Sequence, residues 1–358
     1  MIEKDVAQSK RERFDEDVIE FGRRSFMFDE NESHPLFLMS LESAGPLRNT
    51  IDSPYLRLTQ EELESTDPEV IASVKARLVG YRMIMAGNMR EASGNPLPEG
   101  TSDEDKAEIW RSEAQNNVAK FFESMNIPPG KVKFLLPQGD YRKTHLPLIM
   151  ANVDKTPADP ESKIGVYSKE RADMIYSYDE ETLLAVKPGD CPIAYLRGMT
   201  KKGPIQVMVH LPWTGADSKG SEYGGYIDQM FSHFEVLGID KASLRINISP
   251  GARASSYNYD FPENPLENNP GKELLFNDVK VSDKGGYSCN IDTPVFVRDQ
   301  LIKYGISEYQ MCQDSTDTAS QECGYGSNSR GYKSKGKEVN ARDIVVGSAT
   351  DYQNQRAA

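Results

Sequence analysis

The segment Ala185–Leu196, AVKPGDCPIAYL, decides how the rest of the chain is read. Its two ends are apolar enough for a buried strand, yet Pro188, Gly189, Asp190 and Pro192 interrupt it around one thiol, Cys191. Pro and Gly stop strand pairing and mark bends, and Pro192 also removes a backbone donor. An acid between them has no place in an apolar core. The segment therefore reads as a broken strand whose break turns Cys191 out of the sheet. Nineteen positions further on, the strand IQVMVH ends at His210 and is broken in turn by LPWTG. There Gln206, Met208 and His210 share one face, and Ile205, Val207 and Val209 the other. A lone cysteine is more often a small buried hydrophobe than a reactive group, and a lone histidine is more often a satisfied core residue. Two of them at interrupted strand ends can meet on neighbouring strands. Such a pair supports two chemistries: a thiolate held by imidazole that attacks an amide-like carbon, or joint ligation of a soft metal such as zinc. Spacing alone leaves both open.

Composition narrows the function classes. The 358 residues, 38% of them hydrophobic and 27% charged, are ordinary for a soluble globular protein with a substantial core. No run approaches the ~20 apolar residues of a membrane span. The opening MIEKDVAQSKRERFDEDVIEFG is charged throughout and lacks the apolar block of a signal peptide, which points to the cytoplasm. Lys and Arg number 42 against 55 Asp and Glu, a net charge of −13 that repels nucleic acid. The four cysteines form no CxxC pair, so individual thiols matter more than a disulfide framework. Only four histidines are present, His34, His145, His210 and His233, too few for an imidazole-rich multicopper centre. Oxidase chemistry of that kind is excluded.

Residues 1–33 read as a charged extension and 349–358 as a loose tail. The stretch DPEVIASVKARLVGYRMIMAG places Val70, Ile71, Val74, Leu78 and Met83 at helical spacing. A second helix is expected around Ala114, Val118, Phe121, Phe122 and Met125, and a third along Tyr226, Ile227, Met230, Phe231, Phe234 and Leu237. A fourth begins at Asp292 or Thr293, with Pro294 in its first turn. Short strands are expected in KVKFLLPQGD, ADMIYS, GPIQVMVHLPW and ASLRINISPGA. Residues 254–286, rich in Asn, Pro and Asp, read as a surface excursion with at most one strand pair.

Taken in order, ADMIYS, PGDCPIAYL, VHLPWTG, EYGGYIDQMFSHFEVLGI, ISPGARASSYNYD, CQDSTD and GSNSRG resemble the laccase-domain family. That family is also called multicopper polyphenol oxidoreductase or YfiH-like, and it includes purine nucleoside phosphorylases. It shares a fold with the deamidase domain of cytotoxic necrotizing factor toxins. The likeness spans about residues 34–348, with insertions near 85–108 and 258–285. It implies one α/β (α+β) domain, with two mixed β-sheets packed face to face and helices outside. It implies an enzyme in which Cys191 and His210 act on a small molecule, a purine nucleoside with phosphate or water. The toxin relatives imply an alternative, a Cys–His deamidase acting on a peptide or protein glutamine. A third option is a non-catalytic binding descendant. The family's first metal-binding His falls at Gln138, so zinc or copper is expected at Cys191 and His210 with a doubtful third ligand, and His145 as a distant substitute. Gln138, Asp190, Trp213, Thr214 and Arg330 stand where the resemblance implies contact with substrate. Thr214 occupies the place of an Arg. Further cations for phosphate are Arg342, Arg197 and Arg245, the last two on strands that suggest surface pairing.

Overall fold

The computed structural model describes residues 23–27, 33–40, 82–86, 112, 115–123, 127–138, 147–216, 224–268, 271–307, 310–313, 317–320 and 343–348. Two large sheets form the frame. The first has seven strands in the spatial order β1 (Arg23–Met27), β2 (Ser33–Ser40), β3 (Arg82–Ala86), β16 (Ile344–Ser348), β8 (Leu183–Val186), β4 (Val132–Phe134) and β6 (Val166–Tyr167). The second has six, β15 (Met311–Gln313), β11 (Asp240–Ile248), β9 (Ile193–Thr200), β10 (Gly203–His210), β7 (Met174–Ser177) and β5 (Met150–Asn152). Both are mixed: β4 runs parallel to β6 and β8, and β5–β7 and β11–β15 are parallel pairs within otherwise antiparallel neighbours.

The sheets pack face to face through one apolar layer. Leu184, Val186 and Val345 of the first meet Ile175, Ile193, Tyr195 and Met208 of the second. Tyr195 lies flat against Gly347, where a Cβ would stand 2.2 Å from its ring. The alternation read in IQVMVH holds here, since Met208 faces this layer while Ile205, Val207 and Val209 face the helices.

Helices cover the outer faces. Helix α1 (residues 115–123) presents Val118, Phe121 and Phe122 to Val132, Phe134, Leu183 and Ala185. On the other side α3 (Tyr226–Leu237) buries Tyr226, Ile227, Met230, Phe231 and Phe234, one stripe at helical spacing, and stops at Gly238 with φ 68°. Each fully buried Phe on this stripe contributes about 1.5–3 kcal/mol. Beside it α5 (Thr293–Lys303) begins where the Asp292 carboxylate accepts the Val295 N–H at 3.1 Å, with Pro294 in the first turn.

Two readings are corrected. The 254–286 excursion is a built element: β12 (Asn258–Phe261), β14 (Tyr287–Ile291) and β13 (Phe276–Val281) form a third, antiparallel sheet, with short α4 (Pro265–Asn268) beside it. Phe261, Phe276, Cys289 and Ile291 line its inner face, and Asn258, Asp260, Asn277 and Asn290 are on the other. Met83, placed at helical spacing, is in β3; the remainder of that expected helix lies outside the described residues. Within the N-terminal segment, β1 pairs antiparallel with β2 from Arg23 onward.

Candidate active site

The broken strand AVKPGDCPIAYL is a crossing between the two sheets. Its first half, β8, belongs to the seven-stranded sheet and its second half, β9, to the six-stranded one. Pro188 to Pro192 make the passage, and Cys191 sits at its end, partly exposed. A second turn clamps this one. The Ser249 N–H donates to Ile193 O at 2.9 Å, the Ser249 hydroxyl accepts the Ile193 N–H at 2.9 Å, and the Ala252 N–H donates to Asp190 O at 2.9 Å. Gly251 is needed for the fit, since a Cβ there would lie 3.2 Å from Pro192 Cδ and 3.3 Å from Asp190 O. The Asp190 carboxylate, itself buried, stands 3.4 Å from Thr318 Oγ1. It ties the turn to a neighbouring loop.

His210 closes β10, whose antiparallel pairing with β9 sets His210 opposite Ile193, two residues from Cys191. The imidazole is buried and hydrogen-bonds Cys191 on one side and Asp173 on the other, with Nδ1 3.3 Å from Asp173 Oδ1. Asp173 is fully buried just ahead of β7; its carbonyl accepts the His210 N–H at 2.8 Å and its second carboxylate oxygen accepts the Tyr226 hydroxyl at 3.3 Å. Burial by itself lowers the His210 pKa. The Cys191 charge and the bonds to Asp173 and Cys191 outweigh it and lift the imidazole to about 9. Tyr226 rests on Gly215, where a Cβ would be 2.4 Å from its ring, so the glycine of PWTG makes room for the residue that holds Asp173.

Sequence reasoning singled out Cys191 and His210 and missed Asp173 and Tyr226. The signal was present in ADMIYS, where one acid opens an apolar strand directly after an alanine. Gln138 lies in the segment that packs on the approach to Asp173, with Ala172 N bonded to Leu136 O at 2.9 Å. Its side-chain nitrogen donates to Pro147 O at 2.8 Å. Trp213 and Thr214 begin the short helix α2 (Trp213–Ala216), both half-buried. Trp213 packs against Tyr259, Phe261 and Phe276, with ring centroids 5.2, 5.6 and 6.4 Å away. Tyr257 hydrogen-bonds Trp213; burial, followed by the charges of Cys191 and Asp190, raises its pKa. Arg197 pairs with Glu180 at the end of β9 away from Cys191. Opposite it, Arg245 is buried rather than surface-paired, its Nη1 donating to Leu244 O at 2.6 Å. Neither reaches the Cys191 turn. His145, Arg330 and Arg342 lie outside the described residues.

No family model and no curated protein sequence matches the chain. Solved structures do. The hypothetical protein YfiH of Bacillus licheniformis superposes with a TM-score of 0.51 at 15% identity, over 74% of this chain and 92% of that one. YlmD from Geobacillus stearothermophilus gives 0.51 at 16%, over 75% and 90%. The fold is the YfiH-like fold. On this YfiH-like frame the described residues bring two soft donors together, Cys191 and His210. A zinc site takes at least three protein ligands, and among the described residues no group of three His, Cys, Asp or Glu side chains forms a metal site. Gln138 donates through its amide nitrogen to Pro147 O, and the His210 ring hydrogen-bonds Asp173 and Cys191. The described donors alone do not complete a zinc or copper site.

Proposed function

We propose that the protein is a cysteine-dependent enzyme that hydrolyses a carboxamide, with Cys191 as nucleophile, His210 as proton carrier and Asp173 as the group that orients the imidazole. The relay from Asp173 through His210 to Cys191 is the observation that supports this reading. An imidazolium lifted to about 9 keeps its proton at neutral pH and stabilises a thiolate beside it. The thiolate adds to the amide carbon and forms the S–C bond. As the C–N bond breaks, His210 gives its proton to the departing nitrogen, leaving a thioester. Water then loses a proton to the neutral His210, attacks the thioester, and releases the carboxylate and the thiolate. A glutamine side chain in a peptide or protein presents a carboxamide of this kind.

A second reading is hydrolytic deamination of a purine nucleoside. It is favoured by the Trp213 and Tyr259 rings, 5.2 Å apart, with Tyr259 44% exposed, which offer a planar base a stacking surface three residues from His210. Phosphorolysis would further call on cations such as Arg330, outside the described residues. The test measures ammonia released from a glutamine peptide and from adenosine, by wild type and Cys191→Ser, with and without a chelator. Ammonia from the peptide, insensitive to chelator and lost in Cys191→Ser, is expected. Undiminished release by Cys191→Ser sinks the mechanism, and release from adenosine alone selects the second reading. Failure on both substrates, with Cys191 unreactive toward iodoacetamide, leaves a binding protein.

A further inference from the structure

The third sheet has two outer edges among the described residues, and they differ. Strand β13 pairs with β14 through a register shift between Asn277 and Lys280, where Asp278 takes φ 52°. Such a bulge bends a strand and spoils its border for further pairing. Strand β12 pairs with β14 at all four of its residues, without a shift. The Tyr257 carbonyl accepts the Ile291 N–H at 2.9 Å and so continues the same register. In an antiparallel pair the hydrogen-bonded positions recur at every second residue. Tyr259 and Phe261 therefore turn their backbone groups to β14, and Asn258 and Asp260 turn theirs away from it. No described strand pairs on that side. Asn258, Tyr259 and Asp260 are all exposed. This border begins beside the candidate site. Residues 249–252 clamp the Cys191 turn, and the turn at 253–257 leads straight into β12. Tyr259, on the border strand, packs its ring 5.2 Å from that of Trp213, which follows His210 by three residues. The border is also acidic. From 254 to 271 the chain carries Asp260, Glu263 and Glu267, all exposed, and no Lys or Arg.

We propose that β12 is the docking edge for a protein substrate: an extended, basic segment adds to it as a fourth strand and brings its glutamine to Cys191. The assignment rests on the reading of the protein as a hydrolase of glutamine side chains, and it names how that substrate is held. Main-chain pairing with the outward N–H and C=O groups of Asn258 and Asp260 supplies affinity. Asp260, with the acids that follow it, favours segments bearing lysine or arginine and repels acidic ones. Four residues of strand span about 13 Å. A substrate with fewer than about four residues on one side of its glutamine therefore forfeits most of the edge.

The probe is a fluorescent synthetic decapeptide that alternates lysine with valine or threonine around one central glutamine. Its binding to the full chain carrying Cys191→Ser is followed by fluorescence anisotropy. Two twins of the peptide carry N-methyl groups on either the odd or the even backbone amides. A strand edge engages only every second amide of its partner. One twin is therefore expected to bind about tenfold more weakly than the parent, and the other within about twofold of it. Asp260→Pro removes one outward N–H without touching a bond to β14, and Asp260→Lys reverses the border charge. Each is expected to weaken the parent peptide about fivefold, with an unchanged circular dichroism spectrum. Equal binding of the twins, or binding that neither variant alters, overturns the inference; ammonia released from the parent peptide by wild type then leaves the hydrolase reading standing. Twin-selective binding with no ammonia from the parent overturns the hydrolase reading and, with it, the assignment of the edge to a substrate. A dimer in sedimentation that Asp260→Pro dissociates gives the edge to a second copy of the chain and overturns the inference as well.

Discussion

At the scale of single residues, the chemistry turns on what surrounds His210. Its proton is retained up to about pH 9, against about 6.5 for a free imidazole, because Cys191 and Asp173 reward the charged form more than burial penalises it. Departure of the amine needs that proton, so turnover is expected to fall as pH rises through about 9. Asp173→Asn withdraws one of the two supports. The basic limb of the pH–rate profile should then move to lower pH, with turnover at pH 7 reduced at least tenfold; a limb that stays in place would show that Asp173 only fills space. Cys289 offers an internal contrast, since burial alone pushes its thiol up to about 12 and no imidazole compensates. Two of the chain's cysteines thus sit in different environments, Cys191 partly exposed and Cys289 buried.

At the scale of elements, close approaches decide what can be changed. Gly347 in β16 has the Tyr195 ring where a Cβ would go, 2.2 Å away. Gly347→Ala is expected to cost about 1–3 kcal/mol by overpacking, read as a lower midpoint in urea. Arg245 in β11 predicts the opposite sign. It is 3% exposed, faces Arg197 across the strand pair, and its Nε has no hydrogen-bond partner among the described residues. Replacing a buried cation that has no ion pair among the described residues by an apolar residue of similar length removes a desolvation penalty. Arg245→Met is expected to raise stability by about 1–4 kcal/mol, and a lower urea midpoint would refute this. Elements of both kinds were unevenly legible in the sequence. Helix α3 and strand β10 followed directly from periodicity: α3 buries one regular stripe, and β10 alternates between the two layers it separates. The break at Pro188–Pro192 was visible as a break, but only the three-dimensional arrangement shows that it carries the chain from one sheet to the other. Asp173 escaped because a lone acid has no periodic signature; its role comes from His210, which is 37 positions away. The third sheet escaped because its polar face dominated the composition of residues 254–286.

At the scale of the whole molecule, the candidate site is coupled to global stability. The pKa of His210 is higher in the folded protein than in the unfolded chain, so its contribution is fully present below about 6.5 and is lost as pH rises through about 9. Thermal midpoints of wild type should therefore decline across that interval more steeply than those of His210→Asn; parallel curves would show that the imidazole is uncharged in the fold. The −13 net charge adds a general repulsion on this alkaline side that both proteins share, which is why the comparison is needed. The order of the seven-stranded sheet has a separate consequence. Strand β16 lies between β3 and β8, and it is the last strand in sequence among the described residues. Until it arrives, the β1–β3 meander and the β8–β4–β6 group have no edge in common, so the sheet exists as two unjoined halves with open borders. Completion of the seven-stranded sheet therefore waits on pairing between strands far apart in sequence, and an open border on either half is a place where an incompletely folded chain can pair with another.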